Sequence, residues 1–137
     1  MKRDPDEVLP MQMWRHFNAK EWDLAQNLLS VDFSAYWPQS NETFSGSQNF
    51  IEVNRIYPGT HTIEIIDSHH SYDQWEHRHK VTTEVYIRSQ MPDGKEIKLY
   101  AISFFEITDG KIMSLKEYFA DTYPAPEWRK HLEAKAK

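Results

Sequence analysis

The sequence contains no cysteine, which removes disulfides, thiolate metal sites and a cysteine nucleophile together. A reducing, cytoplasmic setting is the expectation that fits. Long apolar runs are also missing. The longest, "LYAISFFEI" from Leu99 to Ile107, is too short to span a bilayer, so no membrane partner is expected. The opening "MKRDPDEVLP" carries charge with no apolar segment behind it, so no secretory signal is expected. Positive charge is in deficit, with 16 Lys and Arg against 21 Asp and Glu, and no basic stretch interleaves with aromatics. A nucleic-acid partner is therefore not expected. There is no G-x-S-x-G elbow, P-loop or dinucleotide fingerprint, so no cofactor is expected and serine-hydrolase chemistry has no support.

What the chain does have is bulk. Hydrophobic residues make up 39% and aromatics 14% of 137 residues, enough for one sizeable core and too short for two ordinary ones. A single domain over 1–137 is expected. Helical spacing comes first. Pro10 fits the first turn of a helix carrying Met13, Trp14 and Phe17, and "AKEWDLAQNLLS" continues with Trp22, Ala25, Leu28 and Leu29 on one side. "VDFSAYWPQS" looks extended, since Trp37 precedes a proline. "NETFSG" then reads as a turn, and a third helix runs from about Ser47 to Arg55, ended by "YPG".

From there the period switches to two. "THTIEIIDS", "HKVTTEVYIRS", "EIKLYAISFFEIT" and "KIMSLKEYFAD" read as successive strands with hairpin signals at "MPDG" and "TDG". Helices followed by an antiparallel meander make the fold class α+β. A tail at 124–137 ends in a short polar helix.

Alternation sorts the strand faces. Ile97, Leu99, Ala101, Ser103, Phe105 and Ile107 form a face for the helices, as do Val81, Thr83, Val85 and Ile87. The reverse face carries Tyr100, Ile102 and Phe104, too apolar to leave in water, so a homodimer through this face is expected. In "SLKEYFAD", Glu117 shares the apolar face with Leu115 and Phe119. A carboxyl so placed is either an acid/base group with a raised pKa or a structural group paired with a buried Asn, Tyr or Arg. Ser103 could hydrogen-bond a substrate oxygen, and Trp14, Trp37 and Phe119 could sandwich a flat apolar ligand. The candidate set around Glu117 is Trp14, Phe17, Trp37, Ser103, Leu115, Phe119 and Asp121. His61, in phase with Ile63 and Ile65, reaches toward the rim.

The order of elements, with "DFSAYWPQSNETFSG", "RIYPG" and "SFFEITDGKIMSLKEYFAD", resembles the nuclear transport factor 2-like superfamily, and within it the SnoaL-like group. The tail "YPAPEWR" is similar to a bacterial subgroup. The resemblance implies a cone: a curved antiparallel sheet wrapped around helices, with a pocket between them. It implies a small apolar or aromatic ligand and a cofactor-free isomerase, cyclase or hydrolase, or else a non-catalytic binding or dimerisation module. Ketosteroid isomerases of this fold use two carboxyl groups, a base and an oxyanion donor. The resemblance places Trp37 and Ser103 at those positions, leaving Glu117 as the best acid.

"HRHKVTTE" raises a third reading. His77, His79 and Glu84 have the spacing of the first cupin metal motif, which would suit iron, manganese or zinc. On one strand, however, His77 and His79 share a face that Glu84 does not, and the flanking cupin glycines are Ser71 and Met91 here. No metal is expected. His69 and His70 are read as part of a polar turn.

Overall fold

The fold is taken from a computed structural model that describes residues 5–134. Residues 135–137 of the expected tail lie outside the described residues. In chain order the elements are α1 (Pro5–Ala19), α2 (Trp22–Gln26), β1 (Leu29–Trp37), β2 (Glu42–Ser45), α3 (Ser47–Ile56), β3 (Thr60–Asp73), β4 (Arg78–Gln90), β5 (Glu96–Thr108), β6 (Lys111–Asp121) and α4 (Glu127–Lys130).

The strands form one six-stranded sheet in the order β2-β1-β6-β5-β4-β3. It is curved and unclosed, and α1 and α3 lie in its hollow: an α+β cone. All neighbours run antiparallel except β1 and β6, which pair in parallel. The β5–β6 hairpin turns through Asp109 (φ 52°) and Gly110 (φ 74°), both left-handed as a two-residue type I′ turn requires.

The sorted faces hold through the middle of the strands: Val81, Thr83, Val85, Ala101, Ser103, Phe105 and Ile107 are buried against the helices, while Tyr100 and Phe104 on the reverse face are exposed. Ile97, expected on the inner face, is exposed, because it lies near the start of β5. Phe50 of α3 anchors the hollow, with ring centroids 5.1 Å from Phe33 on β1 and 6.2 Å from Phe17 on α1.

Several expectations need correction. Pro10 is not in the first turn. It sits inside α1, which starts at Pro5, the position where a missing N–H is harmless. Helix α2 stops at Gln26, and Leu29 opens β1 instead, buried opposite Ile112. "ETFS" is strand β2 rather than a turn, paired along one side only. His69 and His70 lie within β3, and the turn falls at 74–77, with His77 left-handed at φ 54°.

Gly59 ends the α3 connection at φ +96°, and a Cβ there would lie 2.7 Å from the Gln90 carbonyl oxygen. Both the dihedral and the contact oppose a side chain. Gly59→Ala is expected to lower stability by about 2 kcal/mol, read as a lower denaturation midpoint in urea.

Candidate functional site

Glu117 on β6 stands opposite Ser103 on β5, and Ser103 stands opposite Thr83 on β4. Partners in a ladder point to the same side, so all three face the hollow. Glu117 is only 2% exposed and the other two not at all. Trp37, on the last residue of β1, comes from the other flank of β6. Its indole Nε1–H donates to Glu117 Oε1 at 3.0 Å, and the Ser103 hydroxyl donates to Oε2 at 2.5 Å.

Each carboxyl oxygen thus has one neutral donor, and no cation pairs with Glu117 among the described residues. Removal from water is the dominant influence and raises its pKa. The hydrogen bonds from Ser103 and Trp37 pull the other way, and the balance stands at about 7. The buried Asn, Tyr or Arg anticipated for a structural carboxyl is not the partner. Ser103 also departs from expectation, since its proton goes to Glu117 rather than toward a ligand.

Beside the carboxyl lies a cavity of about 100 Å³. Trp14, Phe17, Trp22, Trp37, Ile63, Ile87, Leu99 and Phe119 wall it, and Lys20, Asn54, Tyr57, His61 and Ser89 add polar lining. The sheet register gives its long axis. Going up from the level of Glu117, Ser103 and Thr83, successive inward levels are Phe119 with Ala101 and Val85, then Leu99 with Ile87, then Ser89 with His61. Each level is two residues, about 6.6 Å along a strand. Glu117 is therefore at the floor, and the His61–Ser89 pair is at the far end.

Of the expected residues, Trp14, Phe17, Trp37, Glu117 and Phe119 meet at this cavity. Ser103 touches it only through Glu117. Leu115 is buried in the core and Asp121 is exposed at the strand end, and neither lines the cavity. The aromatics do not form a parallel slot: Trp37 meets Phe119 edge-on at 5.4 Å and Trp14 meets Phe17 edge-on at 5.8 Å. Trp14 is further pinned by its Nε1–H, which donates to Thr83 Oγ1 at 3.0 Å.

Lys20, Asn54, Tyr57 and Ser89 were not anticipated. Ser89 was within reach, because it continues the alternation of Val81, Thr83, Val85 and Ile87.

The histidine-rich stretch is elsewhere. His70 and His79 face each other across β3 and β4 with Nε2 and Nδ1 2.7 Å apart. Glu84 pairs with Ile102 on the reverse face. Among the described residues no three His, Cys, Asp or Glu side chains are grouped to hold a metal ion. No helix among them is long and apolar enough to cross a membrane.

Comparison with known proteins agrees with this architecture. None of the curated proteins matches by sequence. A candidate ketosteroid isomerase from Kribbella flavida superposes with a TM-score of 0.77 at 20% identity, over 97% of this chain and 90% of that one. An NTF2-like protein of unknown function from Burkholderia xenovorans gives 0.74 at 19% identity, over 97% and 96%. A Mycobacterium tuberculosis protein in complex with estradiol-17beta-hemisuccinate gives 0.67 at 9% identity, over 84% and 93%. At these identities the likeness concerns the fold. The sequence profile of the SnoaL-like domain matches residues 11–115, and the chain belongs to that family.

Proposed function

We propose that the chain binds a small, mainly apolar molecule in the Glu117 cavity, and that Glu117 acts there as the acid/base of a cofactor-free isomerisation, cyclisation or hydrolysis. One observation carries this reading: a carboxyl with a pKa of about 7 stands at the floor of an aromatic-walled cavity. Near neutrality such a group both gives and takes a proton. The positions that the isomerase resemblance assigns to two carboxyl groups, Trp37 and Ser103, instead donate hydrogen bonds to this one. The reaction therefore has one proton carrier at the floor rather than two. The estradiol-17beta-hemisuccinate bound by the mycobacterial protein of similar fold is in keeping with a mainly apolar ligand.

The test is ligand binding with the cavity open and closed. Leu99→Trp would fill the middle level. A single-ring phenol such as 4-ethylphenol is expected to bind the wild-type protein and raise its melting temperature, and to leave Leu99→Trp unchanged. Equal shifts in both proteins would remove the cavity from consideration.

A second proposal concerns assembly. The reverse face of the sheet presents Tyr36, Tyr100, Phe104 and Tyr118, each more than a third exposed. Beside them lies a hollow of about 570 Å³ lined in part by Tyr36, Phe104 and Lys116. A second copy of the chain, meeting this face through the same face, would bury the aromatic surface without leaving the interface open-ended.

A further inference from the structure

The cavity's far end differs in chemistry from its floor. Its polar side chains are Lys20, His61, Ser89, Asn54 and Tyr57, and the single carboxyl of the lining, Glu117, is three levels away, about 20 Å along an unbent strand. Burial keeps Glu117 mostly protonated below neutrality, and Lys20 is the formal cation of the lining.

The cationic end is also built. His61 Nδ1 lies 2.6 Å from Ser89 Oγ, with Ser89 only 6% exposed, and His61 Nε2 lies 3.4 Å from the Tyr57 carbonyl oxygen. The Tyr57 ring packs against the imidazole at 5.5 Å. With its proton on Nδ1, His61 donates to Ser89 Oγ, which frees the Ser89 hydroxyl proton for a group in the cavity. Lys20 joins this end because the last turn of α1 is tied to the β3 edge: the Asn18 side-chain oxygen accepts from the Ile63 N–H at 2.8 Å. No ion pair engages the Lys20 ammonium among the described residues. The Lys20 ammonium and a donor hydroxyl around the end of an apolar cavity match one kind of ligand group, an anion at the end of an apolar body.

We infer that the ligand is an apolar carboxylate, with its ring or chain along the aromatic walls toward Glu117 and its carboxylate held by Lys20, His61 and Ser89. This rests on the reading of the cavity as the ligand site and adds the polarity and direction of what enters it. Lys20 and the His61–Ser89 pair are then specificity-determining groups remote from the proton carrier.

The experiment compares 4-phenylbutyrate with 4-phenylbutanol, equal in length and differing in the charged head, by calorimetric titration at low salt. The wild-type protein should bind the acid roughly tenfold more tightly than the alcohol, and salt should erode that margin. The paired variant Lys20→Met/His61→Gln should bind the alcohol as the wild type does and lose the preference. Ser89→Ala should narrow it. If the alcohol binds the wild type as well as the acid does, and both are lost in Leu99→Trp, the carboxylate assignment falls while the cavity reading stands. If neither probe binds the wild type, both fall. A preference that survives Lys20→Met/His61→Gln also overturns the assignment of these groups.

Discussion

Glu117→Gln is expected to exceed the wild-type protein in stability by about 3 kcal/mol at pH 8 and to match it at pH 4. The reasoning is linkage. An unfolded chain leaves this carboxyl at its ordinary 4.5, whereas burial raises it to about 7 in the folded protein. The folded state therefore holds the proton more tightly. Its contribution is fully present below the unfolded pKa and is lost as pH rises through 4.5 toward 7. The loss corresponds to about 3 kcal/mol, at 1.36 per unit. Glutamine imitates the protonated acid: its carbonyl oxygen accepts from Trp37 and its amide donates to Ser103 Oγ, without a charge to bury. Other carboxyl groups add their own pH dependence to both proteins, so the informative quantity is the difference between two urea denaturation series. A difference that stays flat from pH 4 to pH 8 would show that Glu117 titrates like a surface carboxyl.

Charging the reverse face is expected to have an effect of similar size on assembly. Phe104 and Tyr118 meet at 6.3 Å, Tyr86 and Tyr100 at 5.0 Å, and the Lys116 ammonium stands 5.6 Å from the Phe104 ring. Self-association through this patch would set each aromatic cluster against its counterpart, so one substitution acts twice by symmetry. A glutamate at position 104 alone could be neutralised by Lys116. Tyr100→Glu/Phe104→Glu exceeds what that lysine can offset and buries unpaired charge in both copies, a penalty of several kcal/mol. Sedimentation at micromolar concentration should give a dimer for the wild-type chain and a monomer for the double variant, with unchanged circular dichroism. A wild-type monomer would remove the dimer proposal.

The parts of the fold that were readable in the sequence are those where one face is buried. Alternation in β4, β5 and β6 separates core from surface residue by residue, and it marked Glu117 as a carboxyl on the wrong face. Elsewhere the signal is weak for physical reasons. Strand β2 is an exposed edge with Asn41 before it and Gly46 after it, so turn chemistry outweighs a four-residue strand. Leu28 and Leu29 fit a helical stripe as well as the start of a strand, and only the distant pairing of Leu29 with Ile112 settles the matter.

The polar β3 segment through His69 and His70 carries no period to read. A register shift between Ile65 and Asp67 also breaks its alternation, turning Ser68 and His70 to the inner side. The partners of Glu117 were hidden for a different reason. Trp37 is eighty positions away in sequence, and only the parallel pairing of β1 with β6 brings it alongside. The polar far end of the cavity combines the end of α1, the end of α3 and two strands, so no local motif announces it.

The most direct measurement is the titration of the Glu117 carboxyl carbon by NMR in the folded protein, assigned by its disappearance in Glu117→Gln. The structure predicts an inflection near pH 7, moving higher in Trp37→Phe as one stabilising hydrogen bond to the carboxylate is lost. An inflection at or below the ordinary 4.5 would contradict the account, because a carboxylate already ionised well below neutrality could not serve as the proton carrier at the cavity floor.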